Sequence, residues 1–96
     1  MYNLYTGAEG VVFEHDIKEK GVIVPLSGAT VYIDVYIDNE KKERKTATIT
    51  DPTNGIISYT MDFEEAGIYE IQGEIHFPND SVIPTSIDKF KVKKKK

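Results

Sequence analysis

The side chains here that could support chemistry are two histidines, four serines, six tyrosines and sixteen carboxylates. A metal site needs three or four ligands converging on one point. His15 shares an alternating face with Val11, Phe13 and Ile17, which reads as a core or edge histidine bonded to backbone. His76 falls on a polar face beside Glu74, and no second histidine or carboxylate cluster can be assigned to a matching cross-strand position. Neither a metal nor a cofactor is therefore expected. The chain contains no cysteine, which excludes thiolate zinc sites, iron–sulfur clusters, disulfides and thiol nucleophiles. Ser27, Ser58, Ser81 and Ser86 lack a nucleophile-elbow context, and no glycine-rich phosphate loop is present. The expectation is a protein that is not an enzyme.

The carboxylates come in pairs, Asp34 with Asp38 and Glu70 with Glu74, each pair on one face of an alternating segment. If those segments are neighbours an acidic patch results, which reads first as a solvated surface. Asp51-Pro52-Thr53-Asn54-Gly55 lacks the alternating acids and terminal glutamate of a calcium loop and reads as a turn. Tyr32 and Tyr36 alternate with Asp34 on the polar side of their segment. Outward aromatics at this spacing suit a protein–protein interface or a sugar-stacking platform. Alternatively they are covered by the N-terminal segment, which carries Tyr2, Leu4 and Tyr5.

Charge is unevenly distributed. The 96 residues have a net charge of −4, yet residues 1–88 hold 6 basic and 16 acidic side chains, while the last eight hold six lysines and no acid. An acidic body argues against nucleic acid as a partner, since phosphate binding needs clustered cations on a folded face. Lys93–Lys96 reads as a solvated basic tail, or as one that docks on the acidic face of a neighbour. Met1–Gly10 has neither a positive leader region nor an apolar run. No stretch approaches the roughly 20 apolar residues of a membrane helix, so no membrane partner is expected.

The elements that must position these residues are strands. Thr30–Asp38 alternates strictly, with Val31, Ile33, Val35 and Ile37 opposite Tyr32, Asp34, Tyr36 and Asp38. Gly67–Phe77 repeats the pattern, with Gly73 in the apolar row indicating a bulge or close packing from a facing sheet. Shorter strands are expected over 11–17, 21–24, 45–50, 56–61 and 86–92. Asp62–Ala66 is the one candidate for a helical turn. Asn54-Gly55 suits a hairpin turn needing positive φ. About seven short strands with turn signals between them predict an all-β chain, a sandwich or small barrel. Residues 1–10 form an arm or extra edge strand, 11–92 a single domain and 93–96 the tail.

Three segments carry a family resemblance: Leu26-Ser27-Gly28-Ala29-Thr30-Val31-Tyr32, then Thr48-Ile49-Thr50-Asp51-Pro52-Thr53-Asn54-Gly55-Ile56-Ile57-Ser58-Tyr59, then Ala66-Gly67-Ile68-Tyr69-Glu70-Ile71-Gln72-Gly73-Glu74-Ile75. Over roughly residues 11–92 the chain resembles the N-terminal domain of baseplate upper proteins of siphophages that infect Gram-positive bacteria. The resemblance implies an immunoglobulin-like antiparallel β-sandwich, with Gly28 in a turn, Asn54-Gly55 closing a hairpin and Gly67-x-Tyr69 setting a tyrosine at a sandwich corner. It also implies a non-enzymatic virion component, in the tail or, before assembly, in the host cytoplasm. Its partners would be other tail or baseplate proteins, or further copies of itself. Family members are longer, with helical and receptor-binding parts after this domain. The expectation here is a small structural or accessory tail protein, or a domain of a larger one. Tyr2, Tyr5, Tyr32 and Tyr36 are the interface candidates. The alternative is a carbohydrate-binding or cell-surface adhesion module.

Overall fold

The computed structural model describes residues 4–95. Ten strands occupy them, and among the described residues there is no helix. They are β1 (Leu4–Tyr5), β2 (Val11–Asp16), β3 (Lys18–Glu19), β4 (Val22–Ile23), β5 (Thr30–Ile37), β6 (Glu40–Thr46), β7 (Thr48–Asp51), β8 (Ile56–Met61), β9 (Gly67–His76) and β10 (Val82–Lys93). A five-stranded sheet runs in the order β1-β10-β9-β5-β6, and a three-stranded sheet in the order β2-β8-β7. β3 and β4 form a separate small hairpin. All pairings are antiparallel except β1 with β10.

Alternation decides which side chains meet. Val31, Ile33, Val35 and Ile37 of β5 and Tyr69, Ile71 and Ile75 of β9 are buried from one sheet. Ile57, Tyr59 and Met61 of β8 are buried from the other, and all belong to one core. Burying a side chain of this size contributes about 1.5–3 kcal/mol, so the shared core is the main force holding the two sheets together. An aromatic stack crosses the middle. Phe13 lies parallel to Tyr59 and to Phe90, both at 5.4 Å, and Tyr69 lies parallel to Phe90 at 5.6 Å. Phe63 meets Phe13, Tyr69 and Phe90 edge-on.

Phe63 also corrects the reading of Asp62–Ala66 as a helical turn. The segment is irregular and extended, because Phe63 exchanges backbone hydrogen bonds with Gly7 and Ala8 while its ring fills the core. The expected strand over 45–50 is likewise two strands in different sheets. The chain crosses from β6 to β7 at Ala47, whose N–H bonds the carbonyl of Val31 at 2.8 Å. The last strand starts earlier than expected, at Val82, and carries Pro84. Proline is tolerated because the edge of β10 away from β9 is paired only at Val92 and Lys93.

Gly73 packs closely against its neighbour within the sheet, not against the facing one. In β10 an extra residue, Ile87, interrupts the register between Ser86 and Asp88. The bulge turns Ile87 into the core, where a Cβ on Gly73 would lie 2.7 Å from its Cδ1.

Candidate functional site

The outer face of the five-stranded sheet collects the polar side chains of β5, β6 and β9. The register sets Tyr32 opposite Glu74, Asp34 opposite Gln72 and Tyr36 opposite Glu70 on β9. On the other side it sets Asp34 opposite Arg44 and Tyr36 opposite Lys41 of β6. The β5–β6 connection is a two-residue turn with positive φ at both Asp38 (50°) and Asn39 (69°). Counting back from that turn without interruption would set Asp34 against Glu43. One extra residue in β6, Lys42, shifts the register and sets Arg44 there instead. The bulge therefore replaces a like-charge cross-strand pair with an ion pair.

Arg44 is the hub of the face. Its Nε donates to Asp34 Oδ1 at 2.8 Å and its Nη2 to Asp34 Oδ2 at 3.0 Å. Nη2 also lies 3.4 Å from Glu74 Oε2, and the guanidinium carbon sits 5.0 Å from the centre of the Tyr32 ring. Glu74 Oε1 is 2.6 Å from His76 Nε2, and His76 meets Tyr32 edge-on at 4.9 Å. Lys41 adds a contact to Asp34 at 3.5 Å. The Arg44 hydrogen bonds hold the Asp34 carboxyl below the usual carboxylate range. His76 and then Arg44 do the same for Glu74.

Three sequence expectations change here. Tyr32 and Tyr36 are half-buried rather than fully outward, and the Arg44 guanidinium from β6 lies over the Tyr32 ring. Asp34 is buried, at 7% exposure, so it is no part of a solvated acidic patch. Asp38 has left the face for the turn, where its Oδ1 accepts the N–H of Ile68 at 3.0 Å. β5 and β9 are neighbours, yet Arg44 and Lys41 offset the charge that their carboxylates bring together.

The remaining candidates lie apart from this face. Tyr5, 44% exposed on β1, flanks an open hollow shared with Lys93, Lys94 and Lys95. Tyr2 lies outside the described residues. Gly28 has φ of 74°, and a Cβ there would meet Pro78 Cγ at 2.9 Å. In the β7–β8 turn Asn54 donates twice to the Asp51 carboxylate, from its N–H at 3.2 Å and its Nδ2 at 2.8 Å. Gly55 alone of the Asn54-Gly55 pair takes positive φ, at 65°; the two-residue turns with both central φ positive are Lys20-Gly21 and Asp38-Asn39. Gly67 precedes Tyr69, whose hydroxyl donates to the Glu65 carbonyl at 2.7 Å. His15 is half-buried on β2.

A cleft of about 350 Å³ runs between β6 and the segment after β8. It is lined by Lys42, Lys45, Glu43, Asp62, Glu64 and Glu65 among others, and Lys45 Nζ caps the Thr60 carbonyl at 2.7 Å. Its charges pair with one another, Lys42 with Glu65 at 3.8 Å and Lys45 with Glu43 at 3.8 Å. Among the described residues no group of three or more His or carboxylate side chains could hold a metal ion.

Sequence reasoning did not single out Arg44 or Lys41. Glu40–Lys45 is an unbroken run of charge with no alternation to place it in a strand. The available signal was the Asp38-Asn39 turn, and the bulge shifts by one residue the register that turn implies. Comparisons with family models, with curated proteins and with solved structures gave no match.

Proposed function

We propose that this chain is an immunoglobulin-like sandwich module that works by binding other proteins, as a non-enzymatic component of a phage tail or baseplate. The observation that carries the binding reading is the ordered surface on β5, β6 and β9. Tyr32, Tyr36 and Arg44 are residue types that dominate interface energetics. Arg44 is already fixed by Asp34, Glu74 and the Tyr32 ring. Side chains ordered beforehand lose little rotamer freedom when a partner arrives, which raises the share of contact energy left for affinity. Arg44 also covers part of the Tyr32 ring, which favours a protein partner over a sugar stacked on that ring.

The immunoglobulin-like reading is supported by the Tyr69 hydroxyl bonded to the Glu65 carbonyl at the entry to β9. A tyrosine so placed, returning to backbone a few residues upstream, is a recurring corner device of such sandwiches. The virion assignment rests on the sequence resemblance over residues 11–92. Sedimentation velocity tests the reading, with the wild type and a Y32S/Y36S variant run alone and mixed with purified baseplate proteins. The double substitution is expected to weaken association by tenfold or more, about 1.4 kcal/mol. Unchanged association would remove the tyrosine face from the function.

A further inference from the structure

Among the described strands longer than two residues, β2, β6, β7 and the part of β10 that β1 leaves uncovered present an open edge, and three of these four are blunted. β6 carries six consecutive charged residues and a bulge at Lys42. β10 carries Pro84, the bulge at Ile87 and lysines at Lys89, Lys91 and Lys93. β7 is four residues long and bulged at Thr50. Charge, proline, bulges and shortness are the devices that stop a sheet edge from recruiting another strand. β2 has none of them except charge, at Glu14 and Asp16. Its six residues run in unbroken register against β8, it contains neither proline nor lysine, and Val12 on it is 68% exposed.

The backbone groups that β2 leaves open can be identified. Ile17 N–H bonds the Gly55 carbonyl at 2.8 Å, continuing the β2–β8 register by one pair. In an antiparallel ladder alternate residues turn their N–H and C=O toward the same neighbour. Val11, Phe13 and His15 therefore address β8, and Val12, Glu14 and Asp16 direct their backbone groups to the open side. β2 is the last strand of its sheet among the described residues. We infer that this edge accepts an extended strand from a partner protein, with lysine or arginine across from Glu14 and an apolar residue beside Phe13.

Two features fix that chemistry. Glu14 takes part in none of the ion pairs among the described residues, whereas Asp16 is paired with Lys18 at 3.3 Å. Its β8 neighbours on that face, Ser58 and Thr60, are neutral, so Glu14 is the charge an added strand would meet. Phe13 points inward and is only half-buried, which leaves room for an apolar side chain from the added strand to close over it. A second copy of this chain fits poorly. The self-pairing that uses all three open residues sets Glu14 against Glu14 of the copy and Asp16 against Val12, a like-charge contact at the centre. This edge is on a different sheet from the Tyr32 face, so failure at one site leaves the other untouched.

The test is amide hydrogen exchange of the intact protein titrated with a peptide of about seven residues alternating valine and lysine. Exchange at Val12 and Glu14 should slow about tenfold at saturation, with the β6 and β10 edges unchanged. Replacing the peptide lysines with glutamate should abolish the effect, as should Glu14→Lys in the protein. Glu14→Gln, which removes the charge without adding bulk, should weaken it, and thermal melts would verify that both variants fold. No protection at β2 would overturn the inference. So would protection appearing on β6 or β10, equal protection by the glutamate peptide, or protection that grows with protein concentration alone.

Discussion

Arg44 holds both carboxylate oxygens of Asp34, across a β5–β6 register shifted by one extra residue. Bidentate guanidinium–carboxylate pairs are among the strong polar contacts because two charge-assisted hydrogen bonds share one rigid geometry. Asp34 lies in the middle of β5, on the face opposite the core, and is nevertheless buried. A carboxylate in that position is stable only while its partner stays, so the ion pair and the β6 bulge that aligns it are one feature.

Asp34→Asn should cost about 1.5–3 kcal/mol at neutral pH, the range for a hydrogen bond to a charged group. The cost should depend on pH in a definite direction. Arg44 holds the native Asp34 carboxyl below the ordinary aspartate value of 3.8, so the native state takes up its proton later than the unfolded chain does. The stabilisation is therefore complete well above that value and disappears as pH falls through the lower native pKa. Urea unfolding of wild type and variant at pH 7, 5 and 3 checks this. The gap should persist from pH 7 to 5 and narrow at pH 3, and a gap that stays constant would show that the charge is not its source.

The same pair marks where sequence reading succeeds and stops. The apolar rows of β5, β8 and β9 were legible because each strand alternates over six residues or more, and burial of one face enforces the period. β6 was not legible. It is an edge strand with little to bury, so nothing in Glu40–Thr46 imposes a period, and its charged run reads equally well as a loop. Without β6 neither Arg44 nor the burial of Asp34 could be anticipated. The two-residue strand β3 escaped for a related reason, being too short to show alternation, whereas β1 lies in the segment expected as an arm or extra edge strand and is an edge strand.

Tyr69→Phe isolates a single hydrogen bond. The ring stays in the stack with Phe90 and Phe63, while the hydroxyl and its 2.7 Å bond to the Glu65 carbonyl are lost. A loss of about 0.5–1.5 kcal/mol is expected, since a neutral hydrogen bond contributes that much net of solvation. Denaturant unfolding measures it. Local exchange should also rise at residues 64–66, the loop that the hydroxyl ties to β9. A stability change with no local change there would place the effect elsewhere.

Gly73 and Gly55 both forbid a side chain, but the obstacles differ and so should the remedies. At Gly73 an added Cβ would meet Ile87 Cδ1 at 2.7 Å and Thr85 Cγ2 at 3.0 Å, both side-chain atoms. Gly73→Ala should cost about 1–3 kcal/mol by overpacking. Ile87→Val removes the closer atom, so the double variant G73A/I87V should be more stable than the two single effects predict by addition, with a coupling of about 0.5 kcal/mol or more. At Gly55 the obstacle is backbone. A Cβ would lie 2.5 Å from the Val24 carbonyl oxygen and 3.1 Å from that of Ile17, in a residue held at φ of 65°. No side-chain truncation relieves that contact. Gly55→Ala should therefore cost more than Gly73→Ala, and Ile23→Ala, which trims the third neighbour at 3.3 Å, should not rescue it. Rescue of Gly55→Ala by Ile23→Ala would show that the β4 hairpin yields at its side chains, and that the backbone approach at this turn is not the constraint.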